Sequence, residues 1–428
     1  MKKEKFLIST IILIIGGALT KILGMLIRIV MTRIVGTEGI SLYMLIFPTF
    51  SLFMCLSQLG FPIAISKVVS EDNHNNKKVV FSIIPFSLLL NIFLMLVIIV
   101  LAPTLSTKLL KDPRSYYPIL AIALVLPFDS LSSILRGYFF GKQRMFPHVL
   151  SHVFEQIVRM ILIILIVPTL MDKNIVLAVS ALVSVNIISE FSSILILFLF
   201  IPKNFKINIS DLKPDPRNVK DILKVSIPTT GGRLVGSIGY FLEPILLTLS
   251  TTILNINSIS IIREYGIIEG YVMPLLLLPS FFSNAISSAL LPVISKLYVN
   301  NEIKKIKAKI KQATLISLSI GIPFTLVLII FPNYFLNLIY HTCEGVLYIR
   351  ILGPFFLLYY VQSILATVLQ SINKSKYIMT DNTISIIIRS VTTLLGCILW
   401  GIYGFLLSIC INILVVTFLH YMHVKKAL

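Results

Sequence analysis

Charged residues are scarce in this 428-residue chain, where 13% of the residues are Asp, Glu, Lys or Arg and 57% are hydrophobic. A soluble domain carries about 25% charged residues, so the apolar excess excludes an ordinary soluble fold. Acids are scarcer than bases, with 18 Asp and Glu against 37 Lys and Arg and a formal net charge of +19. In so apolar a chain, this imbalance predicts contact with anionic membrane lipids and not with nucleic acid.

Motifs of catalysis and metal binding are also missing. The 4 cysteines include no CxxC spacing, which argues against a metal or disulfide role. The phosphate-binding pattern GxxxxGK(S/T) is absent, and neither GxSxG nor HExxH occurs in a fitting context. We therefore expect no bound cofactor or metal and no enzymatic activity, and a transporter becomes the leading interpretation.

Long apolar runs are abundant instead. A transmembrane helix needs about 20 apolar residues, and twelve runs meet that length, which predicts an all-α polytopic membrane protein. The predicted spans are 6–35, 40–66, 79–101, 118–139, 148–170, 176–201, 222–252, 262–293, 313–340, 345–372, 378–399 and 401–422. The first run is basic and then apolar like a signal peptide, but it continues too far and is interpreted as an uncleaved first span.

The distribution of bases predicts the orientation. Lysine and arginine are retained on the cytoplasmic side, and roughly two thirds of the 37 fall in connections on one side of the twelve-span map. The expected location is a bacterial cell membrane with both termini in the cytoplasm.

The longest polar connection, 202–220, follows the sixth span and divides the chain into two lobes, 1–205 and 206–428. Because six spans is an even number, the lobes would enter the membrane in the same sense, as parallel repeats.

Two short internal matches support a duplication. Ile65 to Lys67 at the end of span 2 repeats as Ile294 to Lys296 at the end of span 8. Lys21 to Gly24 in span 1 corresponds to Arg233 to Gly236 in span 7, each a base, two aliphatic residues and a glycine. Their common order in the two halves indicates a repeat.

Bases within spans are candidate binding residues, because a charge at the bilayer centre costs about 2.5–3.5 kcal/mol. At 100° per residue, Gly17, Lys21, Gly24 and Arg28 share one face of span 1. Arg233 reaches a depth in span 7 similar to that of Lys21. We predict that Lys21, Arg28 and Arg233 bind an anionic substrate.

Acids within spans complete the pattern. Glu243 and Glu269 are predicted to act in coupling or gating, either by pairing with the cations or by carrying a proton or sodium ion. Glu155 and Arg159, four residues apart, predict a structural ion pair on one helix. Asp129, Glu190 and Arg389 show no partner in the sequence and receive no role.

Several segments resemble one family, the stage V sporulation protein B family. They are KILGMLIRIVMTRIVGTEGISLY (21–43), GFPIAISKVVSE (60–71), RGYFFGKQRMFP (136–147), EQIVR (155–159), GRLVGSIGYFLEPIL (232–246) and YGIIEGYVMPLLLLPSFF (265–282). This family belongs to the superfamily of the lipid II flippases, the polysaccharide flippases and the multidrug and toxin extrusion transporters.

The resemblance implies two six-helix lobes around a central cavity and transport by alternating access. It implies a substrate in which undecaprenyl pyrophosphate carries a cell-wall saccharide, a peptidoglycan precursor for the spore cortex. Lys21 occupies the place of a basic residue in the first helix of lipid II flippases, and Arg28 falls beside a second. The arginine pair of their second helix is replaced here by Met54-Cys55-Leu56. Apart from the resemblance, we expect a monomer that contacts anionic lipids and wall-synthesis enzymes, with sodium or proton coupling.

Two alternatives stay open. A cation-coupled multidrug exporter would use the same architecture but favours an acidic cavity. A non-transporting membrane scaffold for wall synthesis would act through its basic loops.

Overall fold

The computed structural model describes residues 2–71, 76–201 and 216–428, and in these ranges every regular element is helical. The all-α polytopic architecture is confirmed. The first helices are α1 (Lys2–Gln58), α2 (Phe61–Ser70), α3 (Asn76–Thr104), α4 (Tyr116–Gly141), α5 (Met145–Met171), α6 (Ile175–Leu199) and α7 (Pro216–Ile253). There follow α8 (Ser258–Ile267), α9 (Met273–Leu276), α10 (Ser280–Val299), α11 (Ile303–Ile330), α12 (Pro332–Tyr340), α13 (Val346–Ser371), α14 (Ser375–Trp400) and α15 (Ile402–Ala427).

Helix α1 contains the first two predicted spans. It has 57 residues, or roughly 85 Å at the α-helical rise, whereas a bilayer core is about 30 Å thick. The chain kinks at Gly36, whose φ of 62° and ψ of −170° lie in a region that essentially only glycine adopts. Within the described ranges, eleven helical segments are long and apolar enough to cross a membrane. With α1 crossing twice, they supply the twelve predicted passes.

Two predicted spans are not single helices. Span 8, predicted as 262–293, is divided into α8, a π-helical segment (Ile268–Val272), α9 and α10. The chain stays helical through the π-helical segment and α9, which contains Pro274, and the helix is interrupted at the turn 277–279. Pro279 explains this interruption, because proline lacks an N–H and clashes with the carbonyl four residues earlier. Span 9, predicted as 313–340, ends its main helix at Ile330, since Pro332 disfavours helical geometry at Phe331.

The described chain forms two compact units, residues 1–241 and 242–428, and the division falls within α7. In the first unit, α4 packs against α1, α2, α3 and α6. In the second, α13 packs against α10, α11 and α15. The lobe boundary at 205/206 stays a prediction.

The internal match at Ile65 and Ile294 has the same structural setting in each unit. Both isoleucines are 0% exposed and belong to buried apolar clusters. Lys67 and Lys296 lie in the last turns of α2 and α10. These equivalent settings support the predicted duplication.

Gly404 brings α14 and α15 into backbone contact. The helices meet at the turn at Gly401, and a Cβ on Gly404 would lie 1.9 Å from the carbonyl carbon of Gly396. We expect Gly404→Ala to separate the two helices and lower the free energy of unfolding by about 1–3 kcal/mol, the usual cost of overpacking. Thermal unfolding in detergent measures this change.

The matched control is Gly24→Ala in α1, where an added Cβ meets no atom within 4 Å. Alanine favours a helix over glycine by about 1 kcal/mol, so this variant should be as stable as the wild type or more so. Equal stability of the Gly404 and Gly24 variants would contradict close α14–α15 packing.

Candidate functional site

The predicted substrate-binding cations lie on α1 and α7, in the first unit. Lys21 and Arg233 are exposed, and Arg28 is half-buried. The Arg28 Nη2 atom lies 3.6 Å from the Met44 sulfur, across the kink in α1. The Arg233 Nη2 atom donates to the side-chain oxygen of Gln58, at 3.4 Å.

The helical faces around Lys21 and Arg233 are open. A Cβ added at any of five glycines near them would meet no atom within 4 Å; they are Gly17, Gly24, Gly231, Gly232 and Gly236. The predicted stripe of bases and small residues on α1 is therefore accessible, and α7 has its counterpart around Arg233. Small residues beside exposed cations leave room for a ligand larger than a single ion.

Gln58 connects Arg233 to an acid in the interior of the unit. Its carbonyl oxygen accepts from Arg233, and its Nε2 donates to Asp129 Oδ1 at 3.1 Å. Asp129 lies on α4 and is 3% exposed. An exposed cation and a buried carboxylate therefore share one amide side chain.

Asp129 belongs to a buried charge cluster, which we define as Asp129, Arg136, Glu155, Arg159 and Glu190. Arg136 Nη2 contacts Glu155 at 2.5 Å and Glu190 at 3.4 Å. Arg159 contacts the same two glutamates, at 2.5 and 3.9 Å. The predicted Glu155–Arg159 contact is present within a larger network, and its structural role stays a prediction.

The cluster contains Asp129 and Glu190, for which the sequence showed no partner. Glu190 accepts from the Ser132 hydroxyl at 2.6 Å in addition to its two arginines. Arg136 also belongs to this network; it lies within α4, inside the predicted span 118–139, and is 7% exposed. A sequence signal did exist: Asp129, Ser132 and Arg136, at i, i+3 and i+7, place polar groups on one face of an apolar helix.

The predicted coupling acids lie in the second unit, where Glu243 pairs with Arg389. Glu243 Oε1 is 3.0 Å from Arg389 Nη2, and the guanidinium carbon lies 6.0 Å from the Phe405 ring centre. Glu269, in the π-helical segment, interacts electrostatically with Glu243. Both acids are buried, at 5% and 7% exposed. Arg389 showed no partner in the sequence because Glu243 is distant along the chain.

A third buried acid in this unit, Asp381, is shared by two histidines. Asp381 Oδ2 lies 3.1 Å from His420 Nδ1 and 3.0 Å from His423 Nδ1. Because both rings approach the carboxylate itself, they do not surround a vacant metal position. Among the described residues no group of three His, Cys, Asp or Glu side chains could hold a metal ion.

Comparisons with known proteins agree with this architecture. The profile of the family described as "Polysaccharide biosynthesis protein" matches residues 6–298, and the profile described as "MatE" matches residues 244–395. Stage V sporulation protein B of Bacillus subtilis (strain 168) is 33% identical, with 100% of this chain and 85% of the relative covered. Lipid II flippase MurJ of the same organism is 23% identical over 94% of this chain and 82% of its own length.

The fold has a counterpart among solved structures. Lipid II flippase MurJ in an inward closed conformation superposes with a TM-score of 0.73, covering 97% of this chain and 87% of the other, at 17% identity. The helices and these relatives together define a multi-pass membrane protein. The chain belongs to the polysaccharide biosynthesis protein family and, within it, to the family of stage V sporulation protein B.

Proposed function

We propose that this protein is a flippase for a lipid-linked saccharide. The substrate is an undecaprenyl pyrophosphate that carries a cell-wall saccharide, a peptidoglycan precursor for the spore cortex, and the mechanism is alternating access. The relationship to stage V sporulation protein B and to a lipid II flippase supports this choice of substrate. The observation that carries the proposal is the pair of exposed cations, Lys21 and Arg233, on open faces of two membrane helices.

Anion binding follows from the chemistry of these cations. Lysine and arginine form strong charge-assisted hydrogen bonds with phosphate, and two charges attract each other more strongly near a protein of low dielectric constant than in bulk water. In the proposed cycle, Lys21, Arg28 and Arg233 bind the pyrophosphate at the cytoplasmic side, and the prenyl chain stays in lipid. The membrane potential contributes about 2.3 kcal/mol per charge per 100 mV to the return of the unloaded cations.

Glu243 and Glu269 are proposed to take part in coupling to sodium or protons. Their burial and their electrostatic interaction with each other support this role. Binding of a monovalent cation near the two carboxylates would lower their mutual repulsion, and its release would favour another conformation.

The proposed setting is a bacterial cell membrane with both termini in the cytoplasm. The basic connections would then lie against the anionic lipids of the inner leaflet. We propose that the protein acts as a monomer and contacts wall-synthesis enzymes.

Native mass spectrometry of the purified protein tests the binding step. We expect undecaprenyl-pyrophosphate saccharides to co-purify with the wild type and to be lost from the Lys21→Ala/Arg233→Ala variant, because two of the three proposed phosphate contacts are removed. The control is Lys67→Ala/Lys296→Ala, which removes the same charge from the ends of α2 and α10. Equal retention of the lipid by both variants would overturn the assignment of the cations.

A second candidate is a cation-coupled exporter of small molecules, favoured by the MatE match over residues 244–395. It predicts that cationic drugs drive ion flux in proteoliposomes and that Lys21 and Arg233 are dispensable for it. Co-purification of the lipid-linked saccharide, lost with those cations, would decide against this candidate.

A further inference from the structure

The buried charge cluster of the first unit holds more negative than positive charge. Asp129, Glu155 and Glu190 come from three different helices and are 3%, 3% and 4% exposed. Only two guanidinium groups, those of Arg136 and Arg159, belong to the cluster. Each of them contacts both glutamates. The two cations therefore neutralise the two glutamates, and the charge of Asp129 is left over.

Asp129 itself lies outside these ion pairs. Its Oδ1 accepts one hydrogen bond, from the neutral amide of Gln58 at 3.1 Å. Its Oδ2 is buried and has no hydrogen-bond partner in the part of the chain that the structure describes. A buried carboxylate without a cation or a full set of donors is strongly disfavoured, because its ionised form has lost its hydration.

Among the described residues of the neighbouring helices, no further cation lies at contact distance from Asp129. On α3, Asn91 and Ser87 are neutral, and the Ser87 hydroxyl bonds to Ser130 of α4. On α6, the facing group is the acid Glu190. On α5, His152 lies 3.5 Å from Glu155, so even a protonated imidazole there would compensate that glutamate.

The remaining neighbours are α1, α2 and α7. Helix α1 contributes Gln58, and α2 approaches α4 through the backbone of Pro62 and Ser66. Arg233 of α7 contacts the far end of the Gln58 amide. The Gln58 amide therefore lies between the Arg233 guanidinium and Asp129.

We propose that Asp129 is a proton-binding site of the first unit and holds a proton at neutral pH. A proton neutralises the surplus negative charge and needs only one oxygen atom to bind to. Its binding converts Oδ2 of Asp129 into a hydroxyl. Metal cations such as Ca²⁺ need about six or more oxygen ligands, which one carboxylate oxygen does not supply. Asp129 belongs to the first unit, whereas Glu243 and Glu269 belong to the second.

Because Gln58 contacts both Asp129 and Arg233, protonation of Asp129 and anion binding at Arg233 are expected to affect each other. If an anion neutralises the Arg233 guanidinium, one positive charge near Asp129 is removed, and the neutral acid is favoured. Proton binding and anion binding therefore assist each other, and the coupling is reciprocal. The proton site itself rests on the geometry of the cluster and does not require the proposed flippase activity.

Infrared difference spectroscopy of the purified protein at neutral pH tests the site. Asp129→Asn keeps the shape of the protonated acid and an acceptor for Gln58, so the fold is preserved. We expect the difference spectrum, wild type minus Asp129→Asn, to contain a carboxylic-acid carbonyl band. This band should shift in D₂O and should be the same in sodium and potassium buffers.

The matched control is Asp112→Asn. Asp112 is also buried, but it is ion-paired with Arg114 at 2.8 Å, so its removal should delete only carboxylate bands. The proposal is overturned if the Asp129 difference spectrum has only carboxylate bands, as for Asp112, or if sodium replaces the acid band with carboxylate bands. Should the variant fail to fold, isotopic labelling of aspartate carboxyl carbons in the wild type decides the question, since it shifts an aspartic-acid band.

Discussion

Replacing Arg136 by Met is expected to lower the free energy of unfolding by about 3–5 kcal/mol, because removing one partner leaves buried charges uncompensated. The side chain contacts two buried glutamates and donates to the Ser193 hydroxyl at 2.7 Å. Methionine fills a similar volume, so the loss reports on charge and not on a cavity. Chemical or thermal unfolding in detergent micelles provides the measurement.

Two companion variants separate this effect from a general loss of arginine. Arg144→Met removes an exposed guanidinium just before α5 and should change stability little. Adding Glu190→Gln to Arg136→Met should recover part of the loss, since one unpaired carboxylate disappears. If Arg136→Met and Arg144→Met unfold alike, the buried charge cluster does not stabilise the first unit.

Arg389→Met should destabilise the second unit by a similar amount, about 3–5 kcal/mol, because Glu243 would remain buried without its ion-pair partner. The Glu243→Gln/Arg389→Met double variant should be more stable than Arg389→Met alone. The resulting double-mutant cycle should give a coupling energy within the usual range of about 0.5–3 kcal/mol for residues in contact.

The matched comparison is the Arg263–Glu344 pair of the same unit, whose side chains are 52% and 33% exposed. An exposed pair contributes about 0–1 kcal/mol, so Arg263→Met should have a small effect. A coupling energy for Glu243–Arg389 no larger than that of the exposed pair would contradict a buried ion pair.

The membrane spans could be predicted from the sequence because apolar length is a local property. Helical periodicity also predicted that Gly17 and Lys21 share one face of α1. In the structure this face is open. The interruptions of spans 8 and 9 were not predicted, although Pro279 and Pro332 mark them. A proline in a membrane helix is compatible with either a bend or a break, and tertiary packing decides between them.

The partners of the buried charges could not be predicted in this way. Arg136 lies 54 residues from Glu190 in sequence, and Glu243 and Arg389 lie on different helices. Their pairing depends on how helices pack, which no local pattern specifies. From the sequence we could infer only that a charged residue within a membrane span needs a partner. This inference singles out the charged residues but does not say which of them pair.

Transport of a fluorescently labelled undecaprenyl-pyrophosphate saccharide across proteoliposome membranes tests the central claim most directly. Wild-type protein should expose the headgroup of the lipid to a membrane-impermeant quencher. The Lys21→Ala/Arg233→Ala variant should behave like protein-free vesicles, while Lys67→Ala/Lys296→Ala should remain active. Equal translocation by the wild type and the Lys21/Arg233 double variant, or none by the wild type, would contradict the account.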